Sequence, residues 1–247
     1  MTAEVFGIHH VTAIAGDPAR NLDFYARALG LRLVKRTVNF DDPGTYHLYF
    51  GDRMGSPGTI LTFFPHPDAR QGRHGTGQAV EVVFAVPRDA LAFWIDRLHR
   101  LQIPYERPEP RFDEKALRFR DPDGLQLEIV GTDGPPGGDG IWTTAEIGAD
   151  AAIRGFRGVT LWEQGYEATA ELLTGELGFR ALGQDGSRFR FEAPGDAPGR
   201  IVDLRCMPDF WSGAPGAGTV STTSPSAPPA RGSSSASGRR SGGAAST

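Results

Sequence analysis

The sequence predicts an α+β protein of tandem βαβββ modules, three complete and a fourth aborted, with a disordered C-terminal tail. Three observations carry this. Apolar strand-like runs and amphipathic helical runs follow the order β-α-β-β-β, and the order returns at residue 78 and again at residue 153. The helix ends repeat as well: Ala28-Leu29-Gly30-Leu31-Arg32 matches Glu176-Leu177-Gly178-Phe179-Arg180. After residue 220 the chain changes character. Residues 221–247 contain only Ser, Ala, Gly, Pro, Thr and Arg, so they cannot bury a core.

Taken in order, residues 6–12 form a first strand, Phe6-Gly7-Ile8-His9-His10-Val11-Thr12. Alternation sends successive side chains to opposite faces, so one imidazole faces the concave side and the other faces away. Asp17 caps a helix with Pro18 at its first position, and Leu22, Phe24 or Tyr25, and Leu29 give helical spacing. Gly30 ends it. Strands follow at 31–38, 46–50 and 59–64, separated by Gly51-Asp52 and Ser56-Pro57-Gly58. Module two has a strand at 78–86, a helix at 89–101 and an extended segment from 105. Its hairpin, 116–120 and 125–130, turns at Asp121-Pro122-Asp123-Gly124. A Gly/Pro linker spans 131–140. Module three has a strand at 156–162, a helix at 166–177 and strands at 180–183, 188–193 and 201–206. A second linker occupies 209–218, and a fourth copy is due at Gly218-Thr219-Val220.

Composition narrows the classes of partner. Apolar residues make up 39% and charged residues 23%, as in an ordinary globular chain. The net charge of −4 supplies no basic field for nucleic acid or an anionic membrane. The three tail arginines have no acidic counterpart, so the first 220 residues carry 23 basic against 30 acidic groups. No apolar run approaches the ~20 residues of a membrane span. Cys206 is the single cysteine, which excludes an intrachain disulfide and a cysteine-cluster metal site. With no basic region and apolar core at the N-terminus, the expected compartment is the cytoplasm.

A βαβββ module is a curved half-barrel, and two must pair to enclose a site. The chain resembles the vicinal-oxygen-chelate superfamily of glyoxalase I, bleomycin-resistance proteins and extradiol dioxygenases. Two stretches carry the resemblance: Ile8-His9-His10-Val11-Thr12 and Phe119-Arg120-Asp121-Pro122-Asp123-Gly124-Leu125-Gln126-Leu127-Glu128. Within the superfamily it is most similar to hydroquinone-type ring-cleaving dioxygenases, through residues 30–40, 46–50, 55–59 and 156–162. The similarity runs from about residue 6 to residue 220. It implies a first domain over 6–131 (modules one and two), a linker over 132–152, and a truncated second domain over 153–220.

The resemblance implies Fe(II), in some members Mn(II), held by two histidines and one carboxylate, with O2 and a small aromatic diol as reactants. It implies His10 as the first metal ligand, with His9 a pocket histidine beside the metal. Thr12 lines the same face two residues on. The other two ligands belong to the fourth module and have no counterpart, since the last histidine is His99 and no acid follows Asp209. Glu128 remains open between a carboxylate ligand for His10 and a strand residue paired with an arginine. If module one pairs with module four and module two with module three, Glu128 lies in the other barrel. His47 either faces the pocket as a substrate-binding group or is satisfied locally. His66, His74 and His99 read as solvated, Lys35 and Arg36 as solvated or acid-paired, and Cys206 as buried. Trp94, Trp142, Trp162 and Trp211 read as packing residues.

The family's fourth module typically opens Val-His-His-Ile-Ala-Phe-Arg. Written in GC-rich codons and read one base later, His-His-Ile-Ala-Phe-Arg becomes Thr-Thr-Ser-Pro-Ser-Ala, the residues at 222–227. The tail therefore reads as out of frame. Loss of that module predicts an impaired, aggregation-prone chain, or a homo-oligomer formed by swapping modules. Two other functions stay open: a glyoxalase-type lyase or isomerase, and a non-catalytic protein that binds an aromatic or a drug.

Overall fold

The computed structural model describes residues 5–40, 42–133 and 140–221. The expected disordered tail lies outside these residues apart from Ser221. The described chain forms two sheets, one joining module one to the distant start of module four and the other joining the consecutive modules two and three.

In module one, β1 (His10–Ala15), β2 (Arg32–Val38), β3 (Tyr46–Gly51) and β4 (Ile60–Pro65) surround α1 (Pro18–Leu22), which continues in π geometry over Asp23–Ala28. The first strand therefore starts at His10, not at residue 6. Module two contributes β5 (Gln78–Pro87), α2 (Leu91–Arg100), β6 (Glu109–Arg111), β7 (Glu114–Arg120) and β8 (Gln126–Thr132). The predicted linker at 131 is thus strand until Thr132. Module three contributes β9 (Phe156–Glu163), α3 (Glu167–Glu171, continued in π geometry over Leu172–Glu176), β10 (Arg180–Asp185), β11 (Arg188–Glu192) and β12 (Ile201–Cys206). Module four opens with β13 (Thr219–Val220).

The repeated helix ends fold alike. Leu29 N–H donates to Phe24 O and Leu31 N–H to Tyr25 O; Leu177 donates to Leu172 O and Phe179 to Leu173 O. Both ends need a left-handed residue, and Gly30 (φ +69°) and Gly178 (φ +73°) supply it. At the other end of α1, Asp17 accepts from Arg20 N–H at 2.7 Å, as its capping role requires.

Each complete module pairs its first and last strands in parallel: β1 with β4, β5 with β8, β9 with β12. The first strands of modules two and three then pair antiparallel, joining them in one eight-stranded sheet, β10-β11-β12-β9-β5-β8-β7-β6. In the same manner β13 pairs antiparallel with β1, with Ala13 opposite Val220, extending a five-stranded sheet, β13-β1-β4-β3-β2. The division at 132–152 thus separates modules and not sheets.

Two connections hold the sheets in place. The segment over 207–218 is not a free linker: it runs beside 70–76, with Arg73 and Ala214 exchanging backbone hydrogen bonds at 2.9 and 2.8 Å. His74, predicted to be solvated, is partly buried there between Gly218 O at 2.8 Å and the Gln126 side chain at 3.1 Å. Trp211, predicted to be a packing residue, is instead 57% exposed and donates to His74 O. Cys206 is partly exposed rather than buried and reaches Gln164 O.

The Asp-Pro-Asp-Gly turn of module two is the second connection. Asp121 Oδ1 accepts from Asp123 N–H and Leu125 N–H, while Oδ2 accepts from the buried Tyr25 hydroxyl at 2.9 Å. Asp123 accepts from Gly16 N–H at 2.9 Å and pairs with Arg20. The turn therefore clamps the end of β1 and the start of α1.

Candidate functional site

The five-stranded sheet has two unlike faces. Val11, Ala13 and Ala15 of β1 are buried with Phe24 and Tyr25 of the helical layer. His10, Thr12 and Ile14 point the other way, onto the concave side. Parallel pairing of β1 with β4 sets Thr12 beside Thr62, whose hydroxyl donates to Thr12 Oγ1 at 3.0 Å.

His9 precedes the strand, so alternation does not send it to the far face as the sequence suggested. Its ring meets His10 edge to face with centroids 5.3 Å apart, and the two Nδ1 atoms share a hydrogen bond at 3.2 Å. Using both Nδ1 atoms leaves both Nε2 atoms for other partners. Burial first, then the neighbouring His9, holds the His10 pKa below the ordinary histidine value. A neutral imidazole is the form that can bind a metal.

His47, on β3, faces the same side. Its ring stacks on Phe64 (centroids 4.0 Å, 29°) and lies 4.1 Å from the Tyr49 ring. The Tyr49 hydroxyl and His47 Nδ1 are hydrogen-bonded at 2.9 Å, while Nε2 is buried without a partner. Burial lowers the His47 pKa to about 4, with His10 and Lys35 adding to the effect. The Lys35 ammonium stands 5.6 Å from the Tyr49 ring centroid. The structure thus brings His9, His10 and His47 to one concave wall, with Thr12 beside them. Tyr49 and Phe64 were missed from the sequence, although alternation in Tyr46-His47-Leu48-Tyr49-Phe50 places Tyr49 on the face of His47.

Glu128 is not brought to this wall. It is buried in β8 of the other sheet, where Arg111 (2.6 Å) and Arg118 (3.0 Å) take its carboxylate. Glu81, Glu114, Asp203, Arg188 and Arg190 are buried in the same sheet and joined in one ion-pair network. This network lies in the eight-stranded sheet of modules two and three, apart from the imidazole wall. Among the described residues no group of three or more His, Cys, Asp or Glu is placed to hold a metal ion.

Fold and site together define a protein of paired βαβββ half-barrels with an imidazole-lined concave wall. A family model described as Glyoxalase/Bleomycin resistance protein/Dioxygenase superfamily matches residues 7–129. "Putative ring-cleaving dioxygenase MhqO" of Bacillus subtilis (strain 168) is 49% identical over 220 residues, covering 89% of this chain and 69% of that protein. Chlorohydroquinone/hydroquinone 1,2-dioxygenase of Sphingobium indicum is 30% identical over 203 residues, 81% of this chain and 63% of that one. A crystal structure described as a "putative dioxygenase" from Bacillus subtilis superposes with a TM-score of 0.83 at 48% identity, over 88% of this chain and 68% of that one. The chain belongs to the glyoxalase/bleomycin resistance protein/dioxygenase superfamily, and the two relatives described above are named as dioxygenases. Among the described residues, no helix is long and apolar enough to cross a membrane.

Proposed function

We propose that the protein is, by descent, a ring-cleaving dioxygenase of a hydroquinone- or catechol-like aromatic, using O2 and Fe(II) or Mn(II). The observation that carries this reading is the His9-His10 pair opening β1 on the concave wall, in a chain 49% identical to a relative named for ring cleavage. In this reading His10 is a metal ligand and His9 and Thr12 flank the reacting atoms. His47, neutral at physiological pH, and the Tyr49 and Phe64 rings form an aromatic surface beside them. Lys35 would favour the anionic form of a bound diol.

The described residues do not fit the whole metal set. They place imidazoles on the wall but no carboxylate, because Glu128 belongs to Arg111 and Arg118. Such a wall can bind and orient an aromatic ring, but the metal needs further ligands. The tail over 221–247 read out of frame accounts for their absence, and the chain as written is accordingly impaired.

Oxygen uptake with methylhydroquinone or chlorohydroquinone, after anaerobic loading with Fe(II), tests this. The chain as written is expected to retain little iron and consume O2 at background rate. A version with the downstream frame restored is expected to bind iron and turn over. His10→Ala in that version should lose more than the ~10–100-fold typical of a group that merely supports a ligand. A restored version that binds iron yet consumes no O2 with either diol would sink the ring-cleaving reading. Full turnover by the chain as written would sink the impairment.

A further inference from the structure

The second concave face carries more cations than anions at its centre. Six guanidiniums, those of Arg111, Arg118, Arg157, Arg188, Arg190 and Arg205, share four carboxylates. Glu81, Glu114, Glu128 and Asp203 each pair with two of these arginines. Arg118 also reaches the more exposed Glu106 at 3.1 Å, so one positive charge is left over inside a chain whose net charge is −4. Uncompensated charge held away from water is costly unless something pairs with it.

A cavity of about 180 Å³ opens over this network, with Arg107, Arg111, Arg118, Ser187, Arg188 and Arg205 in its wall. Acids also line it: Glu106, Glu109 and Asp185. Glu106 is drawn off by Arg118 at 3.1 Å, and Asp185 accepts from Phe112 N–H at 2.9 Å. Arg111 has donor capacity to spare. Its side chain is only 9% exposed, its Nε is buried with no hydrogen-bond partner, and Nη1 contacts Glu128 at 2.6 Å without an aligned hydrogen bond. Arg205 is 34% exposed and comes no closer than 3.6 Å to Glu81. Arginine forks held by surrounding acids are preorganised for the planar or tetrahedral oxygens of an anion. The volume lies below the roughly 300–1,000 Å³ of drug-sized pockets, so the anion is small.

We propose that this cavity, walled by Arg107, Arg111 and Arg205 in the half-barrel pair of modules two and three, binds a small dianionic oxyanion. The site lies in a different sheet from the imidazole wall, so it stands whether or not the ring-cleaving reading does.

Calorimetric titration of the full chain at constant ionic strength tests it, with sodium phosphate and sodium malonate as probes and sodium chloride as control. Saturable binding of phosphate alone identifies a tetrahedral anion, and of malonate alone a dicarboxylate; either supports the site. Arg205→Gln should weaken binding at least tenfold, and Arg107→Gln, at the cavity rim, provides the same comparison if Arg205→Gln does not fold. Heat no greater than that from chloride, or affinity unchanged in the folded variants, overturns the proposal.

Discussion

Arg188→Ala will lower the stability of the fold by about 3–5 kcal/mol, because it strands buried carboxylates without their partner. Arg188 donates to Glu81 Oε2 at 2.9 Å, to Asp203 Oδ2 at 3.2 Å and to Thr160 Oγ1 at 2.7 Å, and Glu81 is fully buried. The loss is mostly the penalty of the orphaned charge. The pair Glu81→Leu with Arg188→Met should therefore recover much of it. Urea midpoints of the single and double variants provide the check. A single variant within 1 kcal/mol of wild type would show that water reaches the network.

The same network sets an acid limit. Burial alone would raise Glu81, but the Arg188 guanidinium outweighs it and carries the pKa down to about 2. A carboxyl depressed in the folded state adds stability that is complete above its unfolded pKa of about 4.5 and is lost as pH falls toward 2. The contribution is on the order of 3 kcal/mol. Urea midpoints should fall between about pH 4.5 and pH 2, and Glu81→Gln should flatten that part of the profile.

Arg97→Leu will cost about 2–4 kcal/mol, since each buried acceptor left unsatisfied costs roughly 1–3 kcal/mol. The Arg97 side chain, 2% exposed, crosses from α2 of module two to the end of the module-one helix. Nε donates to Ala28 O at 2.8 Å and Nη2 to Arg27 O at 2.6 Å, while Nη1 pairs with Glu146 at 2.9 Å. Leucine keeps part of the packing but strands both carbonyls. Lysine keeps the charge but cannot reproduce the fork, so Arg97→Lys should recover only part of the loss. Chemical denaturation measures both. Faster proteolysis at residues 24–38 in Arg97→Leu would place the damage at the module junction.

Much of this molecule was legible because its signals are local. Asp17, Pro18 and Gly30 mark a helix wherever they stand, and the repeated Leu-Gly ending at 177–178 announced a second helix with the same cap. The Asp-Pro-Asp-Gly turn was legible as a hairpin. Its clamp on Gly16, Arg20 and Tyr25 was not, because those partners lie about 100 residues away. His47 was singled out as a candidate, yet its stacking on Phe64 depends on β3 pairing with β4.

The sequence by itself determined the module and its repetition and singled out the His9-His10 pair, but it set both histidines inside a strand over 6–12, whereas the fold starts the strand at His10. Spacing and caps act over a few residues, so they survive without knowledge of the fold. The tertiary structure decided which modules share a sheet, and that assigned the charged residues. Antiparallel pairing of β7 with β8 set Glu128 opposite Arg118, pairing of β5 with β9 brought Glu81 to Arg188, and pairing of β1 with β13 left His10 on a separate wall. A carboxylate's role depends on the charge that faces it: for Glu128 that neighbour comes across one hairpin, but for Glu81 it is Arg188, 107 residues away, which only the pairing of modules can supply.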